Sequence, residues 1–160
     1  MNTFFLTLAF VAAVAVMMQA TSPGTADDQK QEEQGPAGLA RGYVIVSGEH
    51  DGTPIPEERI RGSVVQFTGN RIVGTDKDRK EFFSCTYALD TSKTPWAINM
   101  KNSEPKHETA AGLIKKEGET VTLIYALPGG ETPKDFKTKE KQNMFVLKAL
   151  PEPPNKFTKE

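Results

Sequence analysis

The chain reads as an all-β protein, a small antiparallel up-and-down barrel of about eight short strands. Three observations predict it. Between residues 39 and 150 the apolar side chains recur with a period of two rather than 3.6. The alternating runs are separated by turn-forming pairs such as Gly69-Asn70 and Gly118-Glu119. No stretch between them is long enough for the helical crossover that parallel strands require.

Taken in order, residues 42–47 open the series with Tyr43 and Ile45 on one face and Val44 and Val46 on the other. Residues 63–68 alternate Val65 and Phe67 against Val64 and Gln66, and the Gly69-Asn70 turn returns the chain through 71–75. The clearest strand is 80–89, where Phe83, Cys85, Tyr87 and Leu89 share a face opposite Lys80, Ser84 and Thr86. After the breaker Lys93-Thr94-Pro95, Trp96, Ile98 and Met100 alternate with Ala97 and Asn99. Residues 109–116 and 120–126 flank Glu117-Gly118-Glu119 as a further hairpin, and 143–150 closes the series. Two segments suit a turn or two of helix: 56–60, with Pro56 ahead of Glu57 and Glu58, and 133–136. Consecutive hairpins with no Greek-key detour favour closure of the sheet on itself.

The ends have a different character. Residues 4–18 form an apolar run that leads through Gln19-Ala20 into Thr21-Ser22-Pro23-Gly24. This is the layout of a secretory signal, with Ala20 as the exit and Ala26 as a second small-residue exit. The run is shorter than the roughly 20 apolar residues of a spanning helix, so no stable membrane anchor is expected after cleavage. The mature chain is then periplasmic or extracellular. Residues 21–38 and 151–160 hold almost nothing to bury and read as a disordered lead and tail around one folded domain, 39–150.

Composition excludes several classes of function. The formal charge is −1 with no basic excess, which argues against a nucleic-acid partner. Cys85 is the single cysteine, so no internal disulfide supports the fold and its stability must come from packing.

The run from Val44-Ile45-Val46-Ser47-Gly48-Glu49-His50-Asp51-Gly52 to Glu58 resembles the opening of a lipocalin-like domain family abundant in planctomycete bacteria. Residues 62–69, Leu89-Asp90-Thr91-Ser92-Lys93-Thr94-Pro95, the Ala126-Leu127-Pro128-Gly129-Gly130-Glu131-Thr132-Pro133 segment and Phe145-Val146-Leu147-Lys148 continue the resemblance in the same order. It covers 39–148 and implies an exported lipocalin-like barrel with no established activity. The chain departs from that pattern where the family opens Leu-x-Gly-x-Trp. Here stand Leu39-Ala40-Arg41-Gly42-Tyr43, so a tyrosine takes the place of the tryptophan that would plug one barrel end. Thr132 stands where the family carries an arginine, which puts the closed end in question.

No catalytic constellation emerges, and a non-enzymatic protein without cofactor or metal is expected. The two histidines, His50 and His107, have no partner ligand at a zinc-like spacing and fit solvated turns. Cys85 alternates with Phe83 and Tyr87 on the apolar face, where a thiol is inert. Ser47-Gly48 lacks the upstream glycine of a nucleophile elbow. Pro128-Gly129-Gly130 lacks the Lys-Ser or Lys-Thr of a phosphate loop. Asp76-Lys77-Asp78 runs into Arg79-Lys80, which places cations where calcium ligands belong. The lysines at 134, 137, 139 and 141 are interleaved with acids and fit a solvated face.

What remains is an aromatic set. Tyr43, Phe67, Phe83, Tyr87, Trp96 and Tyr125 alternate on their strands so as to converge inside the barrel. An eight-stranded barrel is just wide enough for its own side chains or for one small ligand. Strands of five or six residues enclose little volume and predict a filled interior over a hollow one. Two functions follow. One is a module binding a small apolar molecule among these aromatics. The other is a structural or protein-interaction module of the cell envelope, acting through its outer face.

Overall fold

A computed structural model describes residues 36–102 and 108–152; the apolar leader, His107 and residues 153–160 lie outside them. The described strands are β1 (Gly42–His50), β2 (Thr53–Pro54), β3 (Val64–Thr68), β4 (Arg71–Thr75), β5 (Glu81–Asp90), β6 (Trp96–Asn102), β7 (Thr109–Glu117), β8 (Thr120–Ala126) and β9 (Gln142–Ala149). Eight of them, β1 and β3 to β9, pair antiparallel in sequence order, and β9 returns to β1. Tyr43 then faces Ala149 and Ile45 faces Leu147 across the closing seam. The sheet is a closed up-and-down barrel with no free edge between its first and last strands, as the run of hairpins requires. The short β2 lies outside the ring and pairs with the end of β1.

Alternation sorts the side chains. Tyr43, Ile45, Val65, Phe67, Ile72, Cys85, Tyr87, Ile98, Met100, Ile114, Val121, Leu123 and Leu147 form one buried core. Two bulges bend the wall. One falls between Ile45 and Ser47 of β1 and turns Val46 out to solvent at 47% exposure. The other falls on β5, where Gly74 pairs with Phe83 and Thr75 with Glu81, leaving Phe82 unpaired between them. Bulges of this kind re-aim one side chain and tighten the local twist.

The two barrel ends differ. At the end where β1 begins and β9 finishes, Leu39 is fully buried, and the segment carrying it is tied down by Lys116 Nζ donating to the Gly38 carbonyl at 2.7 Å. Among the described residues the first element is the short 3-10 turn Pro36–Gly38, just ahead of Leu39. At the opposite end α1 (Glu57–Ile60) fulfils the expected short helix, with Ile60 as its buried residue.

The second expected helix, at 133–136, is absent. That segment is a series of bends. Asp135 Oδ1 accepts a hydrogen bond from the Lys137 amide at 3.0 Å, a local turn that competes with helix for the same backbone. It belongs to the long β8–β9 connection, which Gln142 holds in place by donating Nε2 to the Glu131 carbonyl at 2.7 Å. Gln142 is 1% exposed, so this bond spares a buried amide the cost of lying unpaired. The Lys115 ammonium lies over the Phe136 ring of the same connection, 5.1 Å from its centroid.

Candidate functional site

The aromatics predicted to converge divide into two groups. At the closed end, Phe67 packs edge-on against Tyr43 at 5.5 Å and against Tyr87 at 5.6 Å between ring centroids. Edge-to-face contact of this sort is the preferred aromatic geometry. Both tyrosines spend their hydroxyl protons on backbone carbonyls: Tyr43 donates to Leu39 at 3.2 Å, and Tyr87 donates to Gly69 at 3.0 Å. Burial pushes the Tyr87 phenol up to about 12, and also raises Tyr43, which the nearby Arg41 partly offsets. Trp96 is partly buried and packs against the core from the start of β6. These four side chains fill their end of the barrel and line none of the described cavities. Tyr43 thus occupies the closed end, while Thr132 is exposed on the β8–β9 connection.

Phe83 and Tyr125 belong to the open end. Their rings stack at 6.3 Å, and Tyr125 stacks in turn on Phe145 at 6.5 Å. Together with Ile45, Leu123 and Leu147 they wall an inner cavity of about 230 Å³. Above it lies an outer cavity of about 440 Å³, bordered by His50, Ile55, Arg59, Ile60 and Asp76. Ile45, Phe82, Asn143 and Phe145 border both, so the two adjoin. A side recess of about 150 Å³ opens behind Phe83 and Tyr125, toward Met100 and Pro128.

Local backbone devices make this space. Phe82, the unpaired bulge residue, is 55% exposed and lies across the cavity mouth. Its ring rests on Gly74, where an added Cβ would come within 3.0 Å of Cζ. A side chain at 74 would therefore push the Phe82 ring outward by a few tenths of an ångström.

A polar chain crosses the open end. Asn143 Nδ2 donates to the Tyr125 hydroxyl at 3.2 Å, and Asn143 Oδ1 lies 2.6 Å from His50 Nδ1. With its amide nitrogen engaged on Tyr125, Asn143 accepts from His50 through Oδ1, so the chain runs in one direction from His50 through Asn143 to Tyr125. Burial raises the Tyr125 phenol above its ordinary value against the opposing pull of Asn143, so the hydroxyl stays protonated at neutral pH.

The sequence did not single out Phe82, Asn143, Phe145 or His50 as site residues. The alternation Asn143, Phe145, Leu147 on β9 was the signal for two of them. Phe82 had none, because simple alternation places it outward and only the bulge brings it to the mouth.

Cys85 is fully buried and its thiol is pushed up to about 11 by burial. Such a thiol is not a nucleophile at neutral pH. Among the described residues no three His, Cys, Asp or Glu side chains converge as a metal cluster. No helix among them is long and apolar enough to cross a membrane. No protein family, curated protein or solved structure matches the chain.

Proposed function

We propose that the protein is an exported, non-enzymatic binding module that holds one small apolar molecule in the open end of its barrel. The observation that carries this reading is the inner cavity: a pocket of about 230 Å³ whose lining residues include no Asp, Glu, Lys, Arg or His. Ligand sites are concave, mostly apolar and furnished with few polar groups, and here Tyr125 and Asn143 are those groups. The volume exceeds the roughly 150 Å³ that accommodates benzene in an engineered cavity and falls short of the roughly 300 Å³ usual for drug-sized ligands. The ligand is therefore compact, and any longer substituent projects into the outer cavity. Export rests on the apolar leader, and the lipocalin-like kinship on the motif residues quoted above.

A solvatochromic hydrophobic dye tests the reading. The full-length chain should raise the dye's emission, and Leu123→Trp, which fills the inner cavity from β8, should abolish the rise while circular dichroism remains unchanged. A rise that survives in Leu123→Trp would locate binding elsewhere. No rise with any dye or apolar competitor would favour the envelope interaction module, acting through the outer face.

A further inference from the structure

We infer that the molecule held in the inner cavity is neutral and presents one oxygen acceptor, a carbonyl or ether oxygen, which accepts a hydrogen bond from the Tyr125 hydroxyl. This deepens the proposed function and rests on it. The chain has three tyrosines. Two of them, Tyr43 and Tyr87, donate their hydroxyl protons to backbone carbonyls. Tyr125 is different. Its described hydrogen bond is one it accepts, from Asn143 Nδ2 at 3.2 Å. Asn143 meets the Tyr125 hydroxyl through its amide Nδ2, a donor with no capacity to take the Tyr125 proton in return. Among the described residues the donor is unspent, on a ring that lines the inner cavity.

The surroundings choose the acceptor. A pure hydrocarbon would strip water from the Tyr125 hydroxyl and leave its donor unpaired, at the desolvation cost of a buried polar group. A carboxylate would satisfy the donor but bring a charge into a space with no cation. The inner cavity is lined by apolar side chains, Tyr125 and Asn143, and the one arginine near the mouth, Arg59, borders only the outer cavity. A charge buried without a partner is far costlier than a neutral carbonyl. Burial raises the Tyr125 phenol above its ordinary value, so at neutral pH it keeps its proton to donate. The directional chain from His50 through Asn143 also polarises the Tyr125 O–H and strengthens it as a donor.

Acetophenone and ethylbenzene have similar size and differ by a carbonyl in place of a methylene, so they isolate the acceptor. Calorimetric titration of the full-length chain and of Tyr125→Phe with both compounds gives the test. The substitution should weaken acetophenone about five- to tenfold, the usual worth of a neutral hydrogen bond to a buried donor, and leave ethylbenzene unchanged or tighter. Benzoate should not bind the inner cavity of the wild-type chain. A carbon-13 spectrum of carbonyl-labelled acetophenone on the wild-type chain, independent of any variant, should show the downfield carbonyl shift of a hydrogen-bonded ketone. Equal loss for both compounds in Tyr125→Phe, no loss for either, tight binding of benzoate or an unshifted carbonyl would each overturn the inference and leave the apolar-binding reading standing. If the wild-type chain binds neither acetophenone nor ethylbenzene, the binding reading itself fails, and the inference with it.

Discussion

Replacing Phe67 with alanine is expected to lower stability by about 4 kcal/mol, within the range of roughly 3–5 kcal/mol for truncating a buried phenylalanine. The upper part of that range applies for a structural reason. Phe67 is 0% exposed and lies between the rings of Tyr43 and Tyr87. Its strand β3 is laced to β1 on one side and β4 on the other, so the wall cannot close over the void. The lost edge-to-face contacts, about 1 kcal/mol each, fall within that figure rather than adding to it. Phe82→Ala is the control, because a ring 55% exposed at the mouth should cost no more than about 1 kcal/mol. Urea unfolding followed by Trp96 emission measures both, since Trp96 packs against the core and is the single tryptophan. The midpoint should fall with an unchanged slope, and the thermal midpoint of Phe67→Ala should drop by roughly 10–20 °C. If the two variants differ by less than about 1.5 kcal/mol, Phe67 is not the keystone of a packed end and the reasoning from burial fails.

Two further outcomes are expected. Mass spectrometry of the protein from its native source should find an amino terminus after Ala20 or Ala26, and an intact Met1 in membrane fractions would refute export with cleavage. The barrel should also lose stability in alkali. The folded Cys85 thiol ionises near 11 instead of 9.0, and Tyr87 near 12 instead of 10.0. Above pH 9 the unfolded chain releases protons that the folded one retains, so stability is complete below pH 9 and declines as pH rises toward 11. A thermal midpoint that stays flat between pH 8.5 and roughly 10.5, or rapid alkylation of Cys85 by iodoacetamide in the native protein at pH 7.5, would contradict this.

Much of the fold was legible because period-two alternation is a direct imprint of a sheet with one buried face. Tyr43, Phe67, Cys85, Tyr87 and Ile98 all lie in the core that their alternation implies. The turns at Gly69-Asn70 and Gly118-Glu119 also fall between paired strands, with Thr68 facing Arg71 and Glu117 facing Thr120. What alternation cannot carry is a change of phase. The extra residue on β5 resets the pattern at Phe82, and no local propensity marks it. The length of β1 was underestimated for a related reason. It runs to nine residues, Gly42–His50, where the alternation was read only to 47. Its outer end carries Gly48, Glu49 and His50, which look like loop in a sequence. Those extra residues raise the wall beyond the packed aromatics and leave room for a cavity that five-residue strands would not enclose.

That difference in height explains why one barrel has two kinds of interior. The closed end is short of space: Leu39 covers it from outside the strands, and the hydroxyls of Tyr43 and Tyr87 are paired within the protein. The open end carries the reverse features: a half-exposed ring seated on a glycine, a bulge and a hydroxyl proton with no described acceptor. Local irregularities of this kind lower stability and persist where the rest of the structure holds them in place. Here the packed end supplies that support, because each of the eight ring strands runs continuously from the packed end toward the open one. A site held on rigid strands keeps its geometry without depending on mobile loops. Tyr125 illustrates the coupling: its hydroxyl faces Asn143, while one strand turn away on β8 Leu123 and Val121 anchor it in the core. Its backbone also pairs with Gly112 of β7, where an added Cβ would press within 2.9 Å of the Tyr125 Cα. The sheet thus holds Tyr125 between β7 and β9, with Asn143 donating to its hydroxyl at the cavity wall.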